Sequence, residues 1–182
     1  MRNLLFALFT FIIISIAASF FKADETRTPY TLFHERIGRA ALCEYVDPEF
    51  GYTLSYPCFF QQENVDDDNN RRGCARFAYR DNTNIIIDTC VIMPCEAAHI
   101  MAKNAKQKRK RTGGTAANLK SFIRSEPVAI NGITIPGYSR YSKYIVSGKT
   151  LFMISLTYPN DYRPSMSRLL KIVNDWKVIG VC

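Results

Sequence analysis

Apolar and polar positions alternate most cleanly in the second half of the chain. Phe152, Ile154, Leu156 and Tyr158 fall on one side, and Met153, Ser155 and Thr157 on the other, until Pro159 ends the run. Such a period of two predicts a strand over Thr150–Tyr158. Phe122 to Ile130 and Ile133 to Val146 read as two more strands, joined by Asn131-Gly132, a strong two-residue hairpin signal. Ser147-Gly148 supplies the next turn. Further upstream, Tyr52, Leu54 and Tyr56 alternate with Thr53 and Ser55 up to Pro57. Ala75, Phe77 and Tyr79 alternate with Arg76, Ala78 and Arg80, and Ile85 to Met93 reads as a more fully buried strand. The stretch between the first two, Gln61 to Gly73, reads as a polar loop.

Two segments change period from two to 3.6. After Pro94, Ala97, Ala98, Met101, Ala102 and Ala105 make one helical face, stopped by Gly113-Gly114. Near the end, Met166, Leu169, Leu170, Val173 and Trp176 form an apolar stripe over Ser165–Trp176. The expected architecture is α+β: an antiparallel sheet of about six strands with helices packed on it. Leu54-Ser55-Tyr56-Pro57 and Leu156-Thr157-Tyr158-Pro159 are nearly the same tetrapeptide. We read both as strand ends closed by proline.

The amino terminus sets the compartment. Arg2 is followed by an apolar run from Leu4 to Phe21, with small residues at Ala17-Ala18-Ser19. That order is the pattern of a secretory signal peptide over 1–19. The alternative is an uncleaved segment that anchors the chain in a membrane, since the run is at the lower limit for spanning. Residues 20–42 have no clear period and read as a leader or linker, or a short helix. Residues 43–182 form the single domain, with no transmembrane span in the mature chain. The expected location is secreted, periplasmic or cell envelope.

Composition agrees with a folded, exported domain. The chain is 47% hydrophobic and 22% charged, enough to bury a core and too apolar for disorder. Its cysteines are Cys43, Cys58, Cys74, Cys90, Cys95 and Cys182, an even number consistent with bridges in an oxidising compartment. Neighbourhood along the chain favours Cys58–Cys74, Cys90–Cys95 and Cys43–Cys182, although other connectivities stay open. The last would close the longest loop and contribute ~4–5 kcal/mol by loop entropy.

Net charge is +8, unevenly placed. Residues 20–100 hold 8 basic and 13 acidic residues (net −5), and residues 101–182 hold 15 and 3 (net +12). Lys103, Lys106, Lys108, Arg109, Lys110 and Arg111 form the densest cationic run. Export argues against nucleic acid. An anionic membrane, an acidic glycan or an acidic protein would suit the run, which otherwise reads as a solvated helix end.

Candidate chemistry is sparse. His99 follows Cys95 by four residues on the expected helix, so the two would share a face, with Cys95 at the helix start. That pair is the one enzyme hypothesis, a thiol-dependent or hydrolytic activity. A disulfide at Cys95 is the simpler fate after export. Asp66-Asp67-Asp68-Asn69-Asn70 resembles a calcium loop, but Arg71 stands where glycine is required and Phe77 where glutamate is. We read it as a solvated turn, with no metal and no cofactor.

The order of elements resembles the PsbP/Mog-like fold. Phe50-Gly51-Tyr52-Thr53-Leu54-Ser55-Tyr56-Pro57 is similar to that family's opening strand. Ile130-Asn131-Gly132 is similar to the hairpin leading into its late strands. Leu151 to Pro159, followed by a helix ending Asn174-Asp175-Trp176, is similar to its closing strand and helix. The cysteines are not part of that pattern. The resemblance implies a non-enzymatic binding or assembly protein of unknown ligand, with no catalytic residue to carry over.

Overall fold

The structure is a computed structural model, which describes residues 27–65, 72–81, 83–92, 121–130, 132–147 and 150–178. Its elements run α1 (Pro29–Arg39), β1 (Leu42–Val46), β2 (Thr53–Pro57), β3 (Gln61–Glu63), β4 (Ala75–Tyr79) and β5 (Ile85–Ile92). Then come β6 (Ser121–Ile130), β7 (Ile133–Ser147), β8 (Thr150–Pro159), a 3-10 segment (Asn160–Ser165) and α2 (Ser167–Asp175). All pairings are antiparallel. The main sheet has six strands in the order β3-β4-β5-β8-β7-β6, and β1-β2 is a separate two-stranded sheet. The α+β sheet expected from the sequence is therefore present.

The alternating strands sort their side chains as a period of two requires. Phe77, Ile85, Ile87, Phe152, Ile154 and Leu156 point to one face and are fully buried. Tyr52 and Leu54 of the β1–β2 unit, and Met166, Leu169, Val173 and Trp176 around α2, close over that face. The α2 stripe is the one read from the sequence, with the helix two residues later at its start and one shorter at its end. The expected hairpin joins β6 to β7, because Ile130 pairs with Ile133 and Gly132 takes φ +80. Both Tyr-Pro tetrapeptides end strands, β2 at Pro57 and β8 at Pro159.

Two readings are corrected and one is narrowed. Of the readings of 20–42, the short helix holds: the segment contains α1, and its Phe33 and Ile37 belong to the core. Thr28 caps this helix with its hydroxyl, which accepts from the Thr31 amide, and Pro29 opens it. The polar loop from Gln61 begins as strand β3, whose side chains are mostly exposed and so leave no apolar alternation to read. The expected bridges Cys58–Cys74, Cys90–Cys95 and Cys43–Cys182 are replaced by Cys43–Cys58 and Cys74–Cys90. The reason is strand pairing. Cys43 lies opposite Tyr56 on β2, and Cys58 follows two residues later, with its amide donating to the Ala41 carbonyl. Cys74 precedes Ala75, which faces Thr89, so Cys74 falls beside Cys90. The Cα atoms are 4.9 Å and 4.2 Å apart. Chain proximity misled because cross-strand partners are neighbours in space, not in sequence.

Polar groups at element ends are tied to other elements. Asp47, 3% exposed, accepts from the Glu49 and Phe50 amides and fixes the turn between β1 and β2, where Gly51 takes φ +65. Lys143 of β7 donates its Nζ to the carbonyls of Asn174 and Trp176, capping the end of α2. Burial lowers the pKa of that amine, with the Asp175 carboxylate opposing the shift. Arg168 of α2 donates to the Ile37 and Gly38 carbonyls at the end of α1. The Trp176 indole donates to the Thr53 carbonyl at 2.8 Å. Trp176→Phe keeps most of the apolar contact but leaves that half-buried carbonyl without its donor. It is expected to destabilise the fold by ~1–3 kcal/mol, read as a lower urea midpoint with an unchanged slope.

Candidate functional site

The second face of the six-stranded sheet is unlike the first. Register alone assembles a polar row across five strands: Arg76 faces Asp88, Asp88 faces Ser155, Ser155 faces Ser142, and Ser142 faces Arg124. The row beside it carries Thr157, Arg140 and Glu126, again cross-strand partners. On the far side of the polar row the face turns apolar. Ile92, Leu151 and Tyr144 are buried there with Phe122, Val146 and Met153 against them. Phe122 and Tyr144 stack with ring centroids 4.7 Å apart. Burial raises the pKa of the Tyr144 hydroxyl, and the nearby Arg124 opposes that.

The charges on this face are mostly paired. Arg76 donates from Nε to Asp88 at 2.7 Å. Arg124 and Glu126, two residues apart on β6, lie 3.2 Å from each other. Arg140 differs: its Nε donates to the Thr157 hydroxyl at 3.3 Å, and among the described residues no carboxylate reaches ion-pair distance of it. Ser142 is 1% exposed, and its Oγ has no hydrogen-bond partner.

Beside this row the surface opens into a cleft of about 880 Å³. Arg76, Asp88, Arg140, Met153 and Ser155 come from the sheet, and Arg72 and Glu49 from the adjoining loops. Arg72 pairs with Glu49 at 3.4 Å. Among the described residues the cleft thus holds three arginines against two carboxylates, and Arg140 is the one left over. The Cys74–Cys90 bridge lines the same cleft and ties β4 to β5 along its floor. Gly73 enters it with φ +57, and a Cβ there would sit 2.5 Å from the Phe50 ring, so only glycine fits.

Below the floor, on the apolar face, the Tyr52 hydroxyl lies 2.8 Å from the Gly73 carbonyl and 2.9 Å from the Thr89 hydroxyl. Burial drives the Tyr52 pKa above the ordinary tyrosine range. This buried network anchors the glycine that borders the cleft.

A histidine–serine contact exists elsewhere: His34 Nδ1 is 2.8 Å from Ser165 Oγ. Ser165 is 4% exposed, so the pair joins α1 to the 3-10 segment and offers no open nucleophile. Most of the residues singled out from sequence stand apart from the cleft or outside the described residues. Cys43 and Cys58 bridge β1 to the end of β2, whereas Cys74 and Cys90 line the cleft. Cys95, His99, Cys182 and the run Lys103, Lys106, Lys108, Arg109, Lys110 and Arg111 lie outside the described residues, as does 1–19. Among the described residues no helix is long and apolar enough to cross a membrane, and no cluster of His, Cys, Asp and Glu could hold a metal.

The sequence reading passed over the cleft's own residues. A usable signal was there: Arg76, Asp88 and Ser155 occupy alternate positions in strands whose other positions, Phe77, Ile87, Ile154 and Leu156, are buried in the core.

No family profile and no curated protein matches the chain. Among solved structures it is similar to the solution structure of cyanobacterial PsbP from Synechocystis sp. PCC 6803. That likeness has 15% identity, covers 75% of this chain and 91% of that one, and has a TM-score of 0.45.

The two buried hydroxyls make opposite expectations. Thr89→Val removes a partner of Tyr52 and is expected to cost ~1 kcal/mol. Ser142→Ala removes an oxygen that bonds nothing and is expected to stay within about 0.5 kcal/mol of the parent, or to stabilise it. Paired urea titrations check both.

Proposed function

We propose that the chain is a non-enzymatic, exported binding or assembly protein of the secreted or cell-envelope class, and that the polar face of its sheet is the recognition surface. The observation that carries this reading is the disulfide-walled cleft. Its volume falls in the range of small-molecule pockets, and a few charged groups converge on it. Disulfides persist in oxidising compartments, and a chain that opens with an apolar run after Arg2 has a route there. The partner stays unnamed on this reading.

The competing reading makes Cys95 a reactive thiol assisted by His99. It needs a reduced cysteine, and the exported reading does not supply one. With Cys43, Cys58, Cys74 and Cys90 bridged, Cys95 and Cys182 are the cysteines left to oxidise together.

The test is made on protein recovered from outside the cytoplasm and unfolded without reductant. The exported reading expects an amino terminus at Phe20 and no free thiol, with non-reduced peptide maps linking Cys43 to Cys58 and Cys74 to Cys90. Cytoplasmic retention with free, readily alkylated Cys95 would overturn it and favour the thiol enzyme.

A further inference from the structure

We propose that the cleft binds a small organic oxyanion, a carboxylate or phosphate group held by the terminal nitrogens of Arg140, with Arg76 facing it from three strands away across the cleft. The proposal rests on the binding reading above and gives it a ligand class.

Charge balance is the first reason. Arg72 and Arg76 each have a carboxylate within ion-pair distance, Glu49 and Asp88. Arg140 has none at that distance among the described residues: Glu126 faces it from β6 but pairs with Arg124 at 3.2 Å, and Arg140 itself is half-buried beside the buried Thr157. A guanidinium held at reduced exposure loses hydration, and an anion restores the balance.

Geometry is the second reason. Arg76 and Arg140 are each fixed through Nε, to Asp88 at 2.7 Å and to Thr157 at 3.3 Å. Anchoring at Nε sets the plane of the guanidinium and leaves the terminal N–H groups for another acceptor. Two adjacent N–H groups in a plane match the oxygens of a carboxylate or phosphate. Ser155, on the strand between β5 and β7, lines the cleft between the two arginines and carries a hydroxyl that can donate to the same oxygens.

Size is the third reason. A cleft of about 880 Å³ exceeds what a bare ion needs, so the oxyanion belongs to a larger molecule. Met153 and the Cys74–Cys90 bridge supply an apolar side for its body. The rigidity of the site follows from its support. Arg140, Ser155 and Asp88 sit on three adjacent strands, and the disulfide fixes the fourth.

The experiment uses the oxidised protein at constant ionic strength with chloride as the reference salt. Inorganic phosphate and citrate are the two probes, one for each head group. Each is titrated by calorimetry, and arginines are then mapped with phenylglyoxal. Saturable binding of at least one probe is expected, with Arg140→Gln weakening it about tenfold or more, the scale of a lost charge-assisted fork. Arg36→Gln, on α1 over the Phe59 ring, should leave binding unchanged. The bound probe should also slow labelling of Arg140 in the parent but not of exposed Arg163. That readout holds even if Arg140→Gln fails to fold. Phosphate without citrate would assign a phosphate ligand, and citrate without phosphate a carboxylate one. Equal binding by parent and Arg140→Gln, or Arg140 labelling indifferent to both probes, would overturn the proposal. Because the compartment and thiol measurements do not depend on either probe, the exported reading survives such a failure.

Discussion

The register of β5, β8 and β7 is the constraint on which the other features rest. Side chains on a strand alternate between faces, so pairing fixes both faces of the sheet at once. With Ile87 opposite Leu156 and Leu156 opposite Tyr141, the apolar side chains gather under α1, α2 and the β1–β2 unit. With Asp88 opposite Ser155 and Ser155 opposite Ser142, the polar ones gather on the other side. A slip of one residue would exchange the two sets. It would push Asp88 toward the core and Ile87 toward the cleft. The cost of burying the unpaired carboxylate, together with the lost apolar burial, holds the register.

That core then supports the site from below. Tyr52 reaches from β2 to the Gly73 carbonyl and Thr89, so a core residue positions the loop at the cleft's edge. Trp176 ties α2 to β2, and Lys143 ties α2 to β7. Each link uses a polar group that burial would otherwise penalise, which is why the elements dock in one arrangement. The two disulfides reinforce adjacent antiparallel strands and leave the cleft open between β4, β5, β8 and β7.

The sequence was legible where one face of an element is plainly apolar. The strands around Phe77, Ile87 and Leu156, and the helix around Leu169 and Val173, show their periods without help. The hairpin at Gly132 is equally clear, because its backbone needs a positive φ. Strand β1 was missed because it lies half exposed, and β3 because no core side chain marks it. The helix α1 buries only Phe33 and Ile37 fully, too few for a visible stripe, yet both are core residues. The cysteine pairs were misread because a bridge between paired strands depends on register, which no local pattern shows. Arg76 and Arg140 were invisible for a related reason. Each looks like an ordinary solvent-facing strand residue until three strand pairings place both in one cleft.

The central claim is this division of the sheet into an apolar and a polar face by a single register. Cross-strand Hα–Hα and amide–amide contacts in an NMR spectrum of the oxidised protein test it most directly, since facing pairs of antiparallel strands alternate between non-hydrogen-bonded pairs, close at Hα, and hydrogen-bonded pairs, close at the amides. The account predicts backbone contacts that place Asp88 against Ser155 and Ser155 against Ser142. Contacts placing Asp88 against Ile154, or Ser142 against Leu156, would contradict it.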